Sequence, residues 1–160
     1  MYEVLPEELA LRGYGWATIR ARWPAFVATL TITILFCLSS AFISVFQTLS
    51  AFIVGVDPAG ISFAPQGTDP VVYLVQIASF GLALIAARRL PVHGALFGAA
   101  AFHLVHLTMN RVILGGLGWL SSGVHVTFVE PDAIALVVVH IAVCGAGFIL
   151  IRKLVERHAQ

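Results

Sequence analysis

Residues 24–56 run for 33 positions without a single Asp, Glu, Lys or Arg. Wound as one helix this run reaches ~50 Å, well beyond the ~30 Å hydrocarbon core of a bilayer. Three more apolar runs follow, at 71–87, 92–114 and 133–151. The whole chain is 59% apolar and 11% charged, where a soluble domain carries about a quarter charged residues. Lipid is therefore the main solvent. The runs predict an all-α integral membrane protein in which four transmembrane helices form an up-down bundle. They consume nearly all 160 residues, so residues 1–160 are expected to form a single membrane domain.

The boundaries come from turn chemistry and charge. The first span is placed at 24–46, with an extension to 56 read as a projection, a tilt or a re-entrant piece. Three prolines, two glycines and two aspartates make 57–70 a loop. The second span, 71–87, stops at Arg88 and Arg89, and Leu90 with Pro91 makes a tight connection. The third, 92–114, is the most polar and ends at Gly115, Gly116 and Gly118, with Trp119 as an interfacial aromatic. Alternating residues over 123–129 allow a short strand or a surface lip in the loop before the fourth span, 133–151. Residues 152–160 are read as a cytoplasmic tail.

Orientation follows from the cations. Arg12, Arg20, Arg22, Arg88, Arg89, Arg152, Lys153 and Arg157 fall on one side of a four-span arrangement. The positive-inside rule makes that side the cytoplasm and leaves both termini there. This predicts a multi-pass protein of the bacterial inner membrane. Acidic residues early in the chain and the length of the first apolar run argue against a cleavable leader.

Within 1–23, Pro6, Glu7 and Glu8 make a helix start. Leu9, Trp16, Ile19 and Trp23 recur at helical spacing. The segment reads as a short interfacial amphipathic helix. Its aromatics would sit at headgroup depth, and Arg12, Arg20 and Arg22 would reach anionic lipid. Docking of a cytoplasmic partner is the functional alternative.

Polar residues at membrane depth demand a reason. Counting ~1.5 Å per residue places His103, His106 and His140 near the midplane, with Cys37 at a similar depth. Cys144 lies one turn from His140 on the same face. Imidazoles and thiolates can ligate a transition metal, so His103, His106, His140 and Cys144 form a candidate metal set. The same histidines could bind haem b, an arrangement that resembles the four-helix membrane cytochromes in helix count and midplane histidines. The bland reading is hydrogen bonding between helices. No carboxylate is expected at that depth, which argues against a di-iron carboxylate centre. Arg111, near the outer end of the third span, is expected to form a polar network with Asn110 and Glu130 or Asp132, with an anionic ligand or headgroup as the alternative partner. Gly94 and Gly98, extended by Ala95 and Ala99, and Ala142 with Ala146 offer small-residue faces for close helix contact.

Absences narrow the function. No basic run interleaved with aromatics points to nucleic acid. Phosphate-binding glycine loops and hydrolase motifs are lacking. The cysteines are not closely paired toward the outside as in quinone-coupled disulfide-forming enzymes, and the first span lacks the glutamate of small multidrug exporters. An enzyme acting alone is not expected. The sequence points first to a non-catalytic subunit or accessory protein of a larger transport or energy-conversion complex. Its partners would be the lipid bilayer and other membrane subunits, or copies of itself. A haem b or transition-metal redox protein and a small oligomeric transporter or channel are the alternatives.

Overall fold

The computed structural model describes residues 4–57, 60, 61, 64, 69–113 and 135–158, and every regular element among them is helical. The chain opens with α1 (Val4–Glu7), a π-helical stretch (Glu8–Gly15) and α2 (Trp16–Arg22), which continue one another. Four longer helices follow: α3 (Ala25–Val54), α4 (Pro70–Arg88), α5 (Ala95–Ile113) and α6 (Ala135–His158). Ala25–Val54, Pro70–Arg88 and Leu136–His158 are long and apolar enough to cross a membrane, and Ala95–Asn110 is a shorter apolar helix.

The long uncharged run resolves into one continuous helix of 30 residues. The stretch beyond residue 46 therefore continues the same helix to Val54. It stops where Gly55 takes φ +76°, a left-handed conformation that costs a residue without a side chain little. The Val56 amide then donates to the Ala51 carbonyl at 2.9 Å, satisfying an otherwise orphaned helix end. The next helix starts at Asp69, whose carboxylate accepts from the Val71 and Val72 amides while Pro70 occupies the first turn. At the other end of the chain, α6 runs on through Arg152 to His158. The expected tail is thus mostly helical, with Arg152 donating to Glu156 one turn on at 2.7 Å.

Helix α4 is the hub, packed against α3, α5 and α6. Its Phe80, Ala83, Leu84 and Ala87 join Phe36 of α3, Ala99 of α5 and Ile141 of α6 in the core. A close α4–α6 approach uses Gly145 of α6: a Cβ there would stand 3.3 Å from the Ala83 Cβ. The expected small-residue faces are used only in part. Ala95 and Ala99 are buried, whereas Gly94, Gly98, Ala142 and Ala146 are exposed. The α4–α6 seam runs through a different stripe of α6, where Ile141 joins the core and Gly145 meets Ala83.

The N-terminal helical segment departs most from expectation. Trp23 and Pro24 are extended and reverse the chain, so the segment packs back along α3 and reaches α5. Arg12 stacks over the Phe36 ring at 4.1 Å, and Leu11 packs against the core. Arg12 therefore does not reach lipid headgroups; it is 0% exposed. Tyr14, Arg20, Arg22 and Trp23 are exposed as expected. Trp16 sits with its ring 6.0 Å from the Arg88 guanidinium.

Candidate functional site

An acid and a base four residues apart on a helix are ring neighbours and most often form a solvated pair. Glu8 and Arg12 have that spacing, but Val4, Glu8 and Arg12 are all buried, on the side of the segment packed into the protein. The Arg12 guanidinium donates from Nη1 to Glu8 Oε1 at 2.9 Å. The same carboxylate oxygen accepts from His103 Nδ1 of α5 at 2.8 Å. Neither Glu8 nor Arg12 has measurable exposure, and His103 is 2% exposed. One turn of π-helix thus delivers a carboxylate and a guanidinium to an imidazole 95 positions away in sequence. π-helical turns recur at functional sites in proteins.

Phenyl rings wall the cluster. Phe80 of α4 meets His103 edge-on at 5.0 Å, Phe36 of α3 does so at 6.1 Å, and the Phe36 face carries the Arg12 cation. His106, one turn along α5, stacks on Phe80 at 4.3 Å, so that one ring lies between two imidazoles. Asn110 Nδ2 lies 3.0 Å from His106 Nε2, within hydrogen-bond distance. Phe80 is eight residues from Arg88, so the cluster lies ~12 Å inward from the arginine-rich end of the helices.

In so apolar a setting an isolated charge is expensive, and Glu8 with Arg12 forms a neutral pair that limits the cost. The pairing is incomplete. Glu8 Oε2 and Arg12 Nε and Nη2 are buried with no hydrogen-bond partner in the protein. One carboxylate oxygen and two guanidinium nitrogens, with three N–H groups between them, remain available for a small polar species or a proton.

The sequence-predicted residues divide. His103 and His106 lie together in the α5 interior, and Asn110 joins them. His140 is exposed on α6, where Cys144 Sγ lies 3.7 Å from its Nε2. Among the described residues no three His, Cys, Asp or Glu side chains gather as a metal-binding group. Cys37 is partly buried on α3 as a free thiol. The Arg111 side chain, Glu130, Asp132 and the 123–129 segment lie outside the described residues. The expectation that no carboxylate shares the histidine depth is corrected by Glu8, whose segment folds inward. The signal for it was present: a buried His103 needs an acceptor, and residues 1–23 hold an acid–base pair flanked by Leu5, Leu9 and Leu11.

Comparison of the chain with protein families, with characterised proteins and with solved structures yields no match.

Proposed function

We propose that this chain is a non-catalytic subunit or accessory protein of a bacterial inner-membrane transport or energy-conversion assembly, crossing the membrane four times with its arginine-rich end in the cytoplasm. The observation that carries this reading is the exposure of His140 beside Cys144 on α6. Ionisable side chains within spans nearly always face protein or a watery cavity, because lipid offers them no hydrogen bond. A neighbouring membrane subunit, or a second copy of the chain, supplies that partner. The exposed Leu136, Val139 and Val143 around it provide apolar packing surface.

Purification in mild detergent tests this. A defined co-purifying membrane protein or a stable homo-oligomer, lost in His140→Leu while the fold survives, is the expected result. A monodisperse monomer with no companion contradicts it.

A second reading is favoured by the unpaired Glu8 Oε2 and Arg12 nitrogens: a small oligomeric transporter whose buried cluster engages the passing ion or proton. Flux in reconstituted liposomes that is unchanged by Glu8→Gln removes its basis.

A further inference from the structure

At the arginine-rich end, residues of α3, α4 and α6 line a cleft of about 440 Å³. Its walls are apolar, with Leu82 and Ile85 from α4 and Ile149 from α6. Its rim is cationic: Arg89 at the end of α4, with Arg152 and Lys153 on α6. The one carboxylate present, Glu156, is engaged by Arg152 at 2.7 Å. Glu156 also attracts Arg89, but less than burial and the neighbouring arginines act against it. The crowding of like charge is unfavourable: burial, then repulsion from Arg152 and Arg20, push the Arg89 guanidinium below its usual pKa. An anion placed between these groups relieves the repulsion.

We propose that this cleft is a binding site for one anionic phospholipid, with the phosphate diester held by Arg89 and Lys153 and an acyl chain lying along Leu82, Ile85 and Ile149. The chemistry is complementary at both ends. A basic pocket between spans at the cytoplasmic boundary matches an acidic headgroup, and the adjoining apolar slot matches the chain attached to it. A free phosphate would satisfy the rim alone, and an acidic protein segment would leave the apolar walls uncovered. The lipid satisfies both, and a structural lipid also seals α3 and α6 against the hub helix.

The full-length protein, purified in mild detergent, is examined by native mass spectrometry after exchange into micelles doped with phosphatidylglycerol or phosphatidylcholine. One phosphatidylglycerol molecule is expected to stay bound per chain, in preference to phosphatidylcholine. Arg89→Gln/Lys153→Gln is expected to weaken retention roughly thirtyfold, as befits two lost headgroup cations. Arg22→Gln, an exposed cation outside the cleft, is expected to leave it unchanged. Should the double variant fail to fold, Ile149→Trp supplies the same reading, because it fills the slot while keeping every cation. Equal retention of the two lipids, insensitivity to these variants, full displacement by inorganic phosphate, or a co-purifying protein occupying the cleft would each overturn the proposal.

Discussion

His103 and His140 are chemically the same side chain on two helices that both pack against α4, yet their surroundings are opposite. His103 is enclosed by Phe36, Phe80 and the Glu8 carboxylate, and His140 is exposed on α6 with Cys144 Sγ 3.7 Å from its Nε2. The inner site is completed by the N-terminal segment of the same chain. The outer one is left for something else to complete. The difference teaches that in an apolar bundle the placement of a polar group is decided by which segment can bring it a partner.

The largest effect should come from breaking the inner site. Glu8→Ala removes the carboxylate that buried Arg12 touches and is expected to cost about 3–5 kcal/mol of stability, read from reversible unfolding in mixed micelles. Glu8→Leu/Arg12→Met sharpens the point. It removes both charges and strands only His103 Nδ1, so the loss should shrink to about 1–3 kcal/mol. A double variant as damaged as Glu8→Ala would show that the pair matters for something beyond charge balance.

Next comes the seam that attaches the outer helix. Gly145→Leu drives a side chain against Ala83, where even a Cβ would lie 3.3 Å from its neighbour. A destabilisation of about 1–3 kcal/mol is expected from overpacking, with loss of any cross-link engineered between α4 and α6. The smallest effect on stability should follow His140→Leu, within about 0.5 kcal/mol, although this change is the one expected to abolish association. If it instead unfolds the isolated chain, the inner and outer histidines are alike after all.

Much of the helical layout was legible from composition and punctuation. The ends of α4 follow from Asp69-Pro70 and Arg88-Arg89, and the turn into α5 from Leu90-Pro91. The pairing of His103 with His106 on one helix followed from their three-residue spacing. The partner of His103 was not legible, because periodicity reports which face of a segment is apolar and not where the segment goes. Glu8 and Arg12 fall on a period that a surface helix also uses, and only the reversal at Trp23-Pro24 turns that face inward. The exposure of His140 on α6 was hidden for a related reason. Depth along a helix can be counted from its ends, whereas rotation about its axis is fixed by packing, here by Ile141 and Gly145 against α4.

The central claim is that the N-terminal segment is part of the interior, joined to α5 through Glu8 and His103. A double-mutant cycle on these two residues, with Glu8→Ala, His103→Ala and both together measured by equilibrium unfolding in the same micelles, tests it directly. A coupling of about 1–3 kcal/mol is predicted for a buried, directly hydrogen-bonded pair. Strictly additive losses would contradict the account, because they would mean that the segment carrying Glu8 lies elsewhere.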